Sequence, residues 1–334
     1  MGNTVVLGAG GWGLALSMVA MEPGQSVTVW SFSDEELRLL RLHNENRRCL
    51  PGVSLPEGLL LTGDLSVAAE AELVVLAVPS FAIRQTARAL QAHIRPGTVV
   101  VNAGKGLEEG TCLRFSQVLE EELPGCPIVV LSGPSHAEEV ARQVPTTVTV
   151  SSADPAAAEW VQHRLSRTYF RLYVNEDLIG VELGGALKNP IALAAGILDG
   201  LDLGDNTKAA LMTRGLVEIA RLGMAMGAQE RTFAGLSGMG DLMVTCGSMH
   251  SRNRRAGILI GQGVPVEEAI RRVGTVEGYC TVRPAYALAQ QRGVEMPILE
   301  QCYRICYEGQ EPRLSVAALF GRPLCYESEK TWIR

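Results

Sequence analysis

A glycine-rich turn near the start is the feature that most constrains this chain. A buried-strand pattern at residues 4–7 runs into G-x-G-x-x-G, and a helical pattern follows directly at residues 14–20. Gly8 permits a tight turn, Gly10 lets the backbone approach a pyrophosphate, and Gly13 lets helix and strand pack closely. Since the free N–H groups of a helix N-terminus attract phosphates, this order of elements favours dinucleotide binding over a purely structural turn.

Strand and helix patterns alternate through the first half of the chain. The further predicted strands lie at residues 26–30, 73–78, 98–102, 127–131, 146–150 and 170–174. Such alternation predicts a mainly parallel, doubly wound sheet with helices on both faces. After about residue 175 helical patterns dominate, at residues 180–198, 207–226, 266–273, 282–292 and 297–307. We therefore predict an α/β chain with a dinucleotide-binding Rossmann domain at residues 1–177 and an all-helical substrate-binding domain at residues 178–334.

Charge and composition exclude several classes of function. The 334 residues suffice for two domains, and a formal net charge of −6 gives no general attraction to nucleic acid or acidic membranes. No apolar run reaches the roughly 18 residues that span a bilayer, and the early first strand leaves no room for a signal peptide. The eight cysteines lack the spacing of a zinc site. We predict a cytoplasmic protein without a nucleic-acid partner, a membrane span or a metal.

One lysine lies in an apolar, small-residue helical pattern just past the predicted domain junction. Lys188 would lose hydration there, so its pKa should fall toward the range useful for proton transfer. The alternative is a lysine that extends from a core helix to the surface. Pro190 removes a backbone donor and predicts a kink or break in the helix beside Lys188. Because domain junctions commonly hold ligand sites, Lys188 is the main catalytic candidate.

Polar residues also follow two of the predicted strands. Lys105 lies on a glycine turn after the strand at residues 98–102, and Gly133 and Ser135 follow the strand at residues 127–131. Doubly wound sheets bind ligands at this carboxyl edge. We therefore expect Lys105 to bind an anion or take part in catalysis, unless it is an ordinary loop lysine at the surface.

The helical region offers a carboxylate and a cationic helix start. Asp241 ends a glycine-rich segment, where it could bind a substrate hydroxyl, position Lys188 or merely cap a helix. Ser251 is a good N-cap, and Arg252 can form a forked pair with phosphate oxygens. We interpret Ser251 and Arg252 as a phosphate site; the alternative is a capped helix with solvated arginines.

The end of the second predicted strand bears on cofactor choice. A site that prefers NAD usually has Asp or Glu there to hold the ribose 2′-hydroxyl, whereas this chain has Ser31 and Phe32. Arg47 and Arg48 could approach a 2′-phosphate, or they could be surface charges. We predict NADP as the cofactor, with NAD as the alternative.

Seven short motifs occur together and in order, and they carry a family resemblance. They lie at residues 8–13, 102–106, 131–135, 184–190, 238–241, 251–253 and 276–279. From about residue 3 to 320 the chain resembles the bacterial NAD(P)-dependent glycerol-3-phosphate dehydrogenases. The resemblance implies reversible hydride transfer between sn-glycerol 3-phosphate and dihydroxyacetone phosphate, which supplies glycerol 3-phosphate for phospholipid synthesis. It also implies a helical domain similar to the C-terminal domain of 6-phosphogluconate dehydrogenase.

The resemblance further implies roles for individual residues. Lys188 would be the proton donor and acceptor at the C2 oxygen. The substrate site would comprise Lys105, Gly133, Ser135, Lys188, Asp241, Ser251, Arg252 and Asn253. The dinucleotide would contact Gly8, Gly10, Gly11, Trp12, Gly13, Ser31, Lys105, Ala137, Arg252, Thr275 and Glu277. The chain departs from the family at Gly11, often a serine, at Cys49, often a tyrosine, and at Ser31 and Phe32, where an arginine is common.

Two other functions stay open on the sequence. One is a related two-domain dehydrogenase that acts on a 3-hydroxy acid or a keto acid, although Ser251 and Arg252 argue for a phosphorylated substrate. The other is a dinucleotide-binding sensor without catalysis, which need not retain Lys105, Lys188 and Asp241. We also expect a homodimer formed through the helical domain.

Overall fold

The computed structural model describes residues 2–324 and 326–327. Met1, Cys325 and residues 328–334, with which the predicted helical domain ends, lie outside the described residues. One sheet of eight strands organises the first half of the chain, in the order β3-β2-β1-β4-β5-β6-β7-β8. The strands are β1 (Asn3–Leu7), β2 (Ser26–Trp30), β3 (Leu60–Thr62), β4 (Leu73–Leu76), β5 (Val99–Asn102), β6 (Ile128–Ser132), β7 (Thr146–Ser152) and β8 (Phe170–Val174).

The predicted doubly wound architecture is confirmed. All neighbouring strands pair in parallel except β6 and β7, which are antiparallel. The sequence pattern misses β3, since three residues are too few to show a period. Strand order reverses between β1 and β4, and the carboxyl ends of strands at such a switch point form the ligand crevice of doubly wound sheets.

Helices cover both faces of this sheet. Val6 and Val75 belong to one buried apolar cluster, and their neighbours Val5 and Val74 belong to another. Successive side chains of a strand point to opposite faces, so each cluster fills one side. The covering helices are α1 (Gly11–Ala20), α2 (Asp34–His43), α3 (Ile83–Gln91), α4 (Phe115–Glu122), α5 (Ala137–Val140) and α6 (Pro155–Leu165).

The rest of the described chain is helical, as predicted. Its helices are α7 (Leu178–Gly200), α8 (Gly204–Ala225), α9 (Glu230–Phe233), α10 (Asp241–Gly247), α11 (Arg252–Gly261), α12 (Val266–Val273), α13 (Glu277–Arg292), α14 (Pro297–Glu308) and α15 (Pro312–Phe320). A π-helical turn at Leu236–Gly240 leads into α10. Helix α7 lies at the centre, because α8, α10, α11, α13 and α14 all pack against it.

Of the kink or break expected at Pro190, the break does not occur. The helix runs through the proline from Leu178 to Gly200. Packing on every side holds the segment helical despite the missing N–H. By length and composition α7 is also long and apolar enough to cross a membrane, contrary to our reading of the apolar runs, but 83% of its most apolar window is buried inside the protein.

Glycines set the distance between α7 and α11. A Cβ on Gly196 would lie 2.1 Å from the Arg254 carbonyl oxygen, and a Cβ on Gly257 would lie 2.1 Å from the Leu193 carbonyl oxygen. Only glycine allows the two backbones to approach this closely. The contact fixes the start of α11 relative to the middle of α7, where Lys188 lies.

Candidate active site

The glycine turn has the shape that a dinucleotide requires. Gly8 has a φ of 116°, and a Cβ on Gly13 would lie 1.9 Å from the Gly8 carbonyl oxygen. A Cβ on Gly10 would meet nothing within 4 Å. Gly8 and Gly13 are therefore required by the fold, whereas Gly10 leaves open space beside the N-terminus of α1 for an approaching phosphate.

The loop that carries Cys49 packs directly against this turn. Asn46 Nδ2 donates to the Ala9 carbonyl oxygen at 2.9 Å, and a Cβ on Gly11 would lie 2.7 Å from the Cys49 carbonyl oxygen. The same Cβ would lie 3.6 Å from that of Ala137. The two departures from the family at Gly11 and Cys49 are thus neighbours in space, since the loop occupies room that a serine side chain would need.

The other residues assigned to the dinucleotide are distributed around the switch point. Trp12 Nε1 donates to the Ala103 carbonyl oxygen at 3.2 Å, beyond the end of β5. Ser31 is buried at the end of β2, and its hydroxyl donates to a carboxylate oxygen of Glu36 at 2.6 Å. Glu277 Oε1 accepts from the Ser80 N–H at 3.2 Å. Burial raises the pKa of Glu277, and its Oε2 is buried without a partner in the described part of the chain.

Arg47 and Arg48 have different surroundings. Arg47 forms a long ion pair with Glu45 on its own loop, at 3.9 Å. The guanidinium of Arg48 lies 3.9 Å from the position of a Cβ on Gly274, the residue before Thr275. Of the two arginines, Arg48 is therefore the one that reaches the segment leading into α13.

A buried carboxylate joins the two lysines that the sequence singled out. Lys188 is 6% exposed and Asp241 is 2% exposed. Lys188 Nζ donates to Asp241 Oδ1 at 2.7 Å, and Lys105 Nζ donates to Asp241 Oδ2 at 2.5 Å. Lys188 thus does not extend to the surface. Asp241 does not cap a helix with its side chain, because it is the first residue of α10.

Further contacts fix both ammonium groups. Lys188 Nζ also donates to Thr245 Oγ1 at 2.6 Å, and Lys105 Nζ donates to the Gly133 carbonyl oxygen at 2.9 Å. The Ser135 hydroxyl donates to that same carbonyl oxygen at 2.9 Å. The carboxyl ends of β5 and β6 therefore meet α7 and α10 at one place.

This geometry sets the charge state of the cluster. The pKa of Lys188 is lowered to about 8: burial lowers it most, the charge of Asp241 opposes this, and the positive charge of Lys105 lowers it further. Burial alone would raise the pKa of Asp241, but the two ammonium groups hold it below its ordinary value. The cluster thus places an ionised carboxylate beside an amine that can gain or lose a proton near neutral pH.

The start of α11 has the predicted cap and an unpaired cation. The Ser251 hydroxyl accepts from the Arg254 N–H at 3.2 Å. Arg252 is exposed at the first position of the helix, and within residues 2–324 and 326–327 it forms no ion pair. Asn253, which the resemblance places in the substrate site, has a buried side chain that is hydrogen-bonded to Asn189 and Gly278. Its place in the substrate site stays a prediction.

Sequence reasoning missed three residues of this region. Thr245 shares a face of α10 with Asp241, a signal present in their four-residue spacing. Asn189 and Ser80 had no comparable signal, because their partners are distant in the sequence. Among the described residues, no cluster of three or more His, Cys, Asp or Glu side chains could hold a metal ion.

Comparison with known proteins gives consistent matches over the whole chain. The N-terminal and C-terminal family models of NAD-dependent glycerol-3-phosphate dehydrogenase match residues 3–158 and 177–317. The chain is 54% identical over 331 residues to a glycerol-3-phosphate dehydrogenase (NAD(P)+) of Desulfitobacterium hafniense, covering 99% of this chain and 94% of that protein. It is 55% identical over 330 residues to one of Moorella thermoacetica, covering 98% of each. The crystal structure of glycerol-3-phosphate dehydrogenase from Coxiella burnetii superposes with a TM-score of 0.93 at 38% identity, covering 96% of this chain and 99% of that one.

Proposed function

The chain belongs to the NAD-dependent glycerol-3-phosphate dehydrogenase family, and we propose that the cluster of Lys188, Asp241 and Lys105 is its catalytic centre. The protein is an oxidoreductase that interconverts sn-glycerol 3-phosphate and dihydroxyacetone phosphate with NADP or, alternatively, NAD. The observation that supports the proposed centre is the buried carboxylate shared by two lysines beside the glycine turn. We further propose that the glycerol 3-phosphate formed by reduction enters phospholipid synthesis.

Lys188 has one donor left for the substrate. An ammonium group has three N–H donors, and within the described chain Asp241 and Thr245 accept two of them. We assign the third to the C2 oxygen of the substrate. A bound nicotinamide cofactor would supply the hydride. Lys188 stabilises the negative charge that grows on the C2 oxygen and donates the proton. In oxidation the neutral amine accepts that proton.

Several residues are proposed to hold the cofactor. The backbone from Gly8 to Gly13 would bind the pyrophosphate, with Trp12 and Ala137 beside it. Ser31 would lie at the ribose end, and Thr275, Glu277 and Arg252 would approach from the helical region. The open space at Gly10 and the unpartnered Glu277 oxygen support this arrangement.

The phosphate of the substrate is assigned to Ser251 and Arg252. Arg252→Ala should raise the KM for dihydroxyacetone phosphate by roughly 10–150-fold, because a hydrogen bond to a charged group contributes about 1.5–3 kcal/mol. At saturating NADPH, which offsets any loss of cofactor affinity, the same substitution should have little effect on the KM for unphosphorylated dihydroxyacetone. Arg255→Ala is the matched control, since Arg255 is exposed on the same helix. An Arg252→Ala enzyme with unchanged KM would remove Arg252 from the phosphate site.

The pH dependence of both directions follows from the pKa of Lys188. Reduction needs the ammonium form, so kcat/KM for dihydroxyacetone phosphate should be level below about pH 8 and fall tenfold per unit above it. Oxidation needs the amine, so kcat/KM for glycerol 3-phosphate should rise up to about pH 8 and then level off. Steady-state rates from about pH 6.5 to about pH 9.5 test this. A reduction profile that stays flat over the whole range would contradict it.

We propose that the Rossmann domain comprises residues 1–177 and the helical domain residues 178–334. The last strand, β8, ends at Val174, and Asp177 caps α7 by accepting from the Gly180 N–H at 2.9 Å. Native-state hydrogen exchange should then give two sets of protected amides that meet near residue 177. One cooperative unit spanning that point would contradict the division.

A cytoplasmic homodimer is the proposed state of the protein in the cell. The seven described cysteines are free thiols, as is usual in a reducing compartment. Helix α15 exposes Leu314 and Phe320, at 60% and 76%, which supports a contact through the helical region. Cell fractionation and the mass in solution test these two points, and a monomeric mass would refute the dimer.

A further inference from the structure

The Asn253 side chain is a buried connector. It is 7% exposed. Its Nδ2 donates to Asn189 Oδ1 at 2.9 Å, and its Oδ1 accepts from the Gly278 N–H at 2.8 Å. Both ends of the amide are thus engaged within the protein, so the side chain joins α7, α11 and the start of α13.

Each of the three connected residues adjoins a residue of the proposed site. Asn189 follows Lys188, Asn253 follows Arg252, and Gly278 follows Glu277. The contact leaves little room for relative movement, because a Cβ on Gly278 would lie 2.6 Å from the Asn189 carbonyl oxygen. A small shift at the start of α11 must therefore move the start of α13 as well.

The connection continues to the sheet. Glu277 Oε1 accepts from the Ser80 N–H at 3.2 Å, and Ser80 lies beyond the end of β4, one of the two strands at the switch point. The second carboxylate oxygen of Glu277 is buried and has no partner among the described residues. A path of hydrogen bonds and chain neighbours thus runs from the N-terminus of α11 to the edge of the sheet where the dinucleotide is assigned.

We propose that Asn253 is a positioning residue that couples binding of the substrate phosphate to binding of the dinucleotide. This inference rests on the proposed roles of Arg252 and Glu277. A phosphate bound at the N-terminus of α11 fixes the first turn of that helix, and Asn253 then holds the Gly278 N–H and with it Glu277. Because binding coupling is reciprocal, each ligand strengthens the binding of the other.

A pair of ligands that cannot react allows this coupling to be measured. NADPH and sn-glycerol 3-phosphate are both in the reduced state, so the Kd of NADPH can be determined by fluorescence with and without saturating glycerol 3-phosphate. In the wild-type enzyme glycerol 3-phosphate should tighten NADPH binding about tenfold, within the 5–150-fold typical of coupled sites. A wild type that binds both ligands independently would overturn the proposal.

Two substitutions should remove the coupling. Asn253→Asp keeps an acceptor for the Gly278 N–H but loses the donor to Asn189 and places two oxygens against each other. Asn189→Ala removes the acceptor and tests the same link if Asn253→Asp folds poorly. In both variants glycerol 3-phosphate should tighten NADPH binding by only about twofold or less. NADPH alone should bind nearly as in wild type. Asn189→Asp is the matched control, because its carboxylate still accepts from Asn253 and should preserve the coupling.

The outcomes separate this inference from the proposed function. If Asn253→Asp lowers both affinities and the Tm but keeps the tenfold factor, the residue is merely structural and the proposal fails. If the wild type binds NADPH but no glycerol 3-phosphate, the proposed substrate site fails together with the coupling. If both ligands bind wild type without influence on each other, only the coupling is lost.

Discussion

Lys188→Met should lower kcat for the reduction of dihydroxyacetone phosphate by about four orders of magnitude. Methionine has a similar length and suits the buried position but has neither charge nor proton. The variant loses general acid catalysis, a factor of about 10²–10⁴, and electrostatic stabilisation of the C2 oxygen, a factor of about 10²–10³ for one donor. The two factors do not simply multiply, since the same ammonium group provides both effects. Stopped-flow single turnover with NADPH gives the rate directly.

The control for this result is a lysine outside the cluster. Lys208 on α8 pairs with Asp199 at 2.5 Å, and Lys208→Met should retain most of the activity. The Kd of NADPH should change little in Lys188→Met, because Lys188 is not assigned to the dinucleotide. A Lys188→Met enzyme that turns over within tenfold of wild type would show that another group moves the proton.

Asp241→Asn should be the second most damaging substitution, and it should act on both rate and stability. It leaves the buried ammonium group of Lys188 and the half-buried one of Lys105 without the carboxylate that pairs with both. The pKa of Lys188 should fall by about 1–3 units further, because an opposite charge within hydrogen-bond distance is lost. The reduction profile should therefore shift to lower pH by that amount, and at about pH 7 kcat should be roughly 2–100-fold lower, because less of Lys188 is then in the ammonium form.

The free energy of unfolding reports the same loss. Breaking a buried ion pair by removing one partner costs about 3–5 kcal/mol, so the denaturation midpoint of Asp241→Asn should fall clearly. Asp205→Asn is the matched control, since the Asp205 side chain is fully exposed. Loss of its charge should leave kcat and the free energy of unfolding near the wild-type values. An Asp241→Asn enzyme with the wild-type pH profile would contradict the assigned role.

Local sequence patterns were sufficient to predict many of the strands and helices of the fold. The strands at residues 26–30 and 170–174 and the helix at residues 266–273 were predicted with the bounds that the structure has, because their apolar periodicity and end signals are strong. The short elements β3, α9 and α15 gave no such signal. Of the kink or break predicted at Pro190, the break does not occur, since the packing around α7 outweighs the local preference of one residue.

The sequence by itself determined the chemistry available to this protein. It contained the glycine turn, two lysines in unusual settings, a carboxylate and an arginine at a helix start, because these depend on residue types and short spacings. Only the tertiary structure decided that Asp241 joins Lys105 and Lys188, that Asn253 is an internal connector, and that Gly11 lies against Cys49. Those contacts join residues far apart in the sequence, and their distances are set by how α7 and α11 pack through glycine. A single sequence has no periodicity that encodes such pairings, so packing alone determines the site.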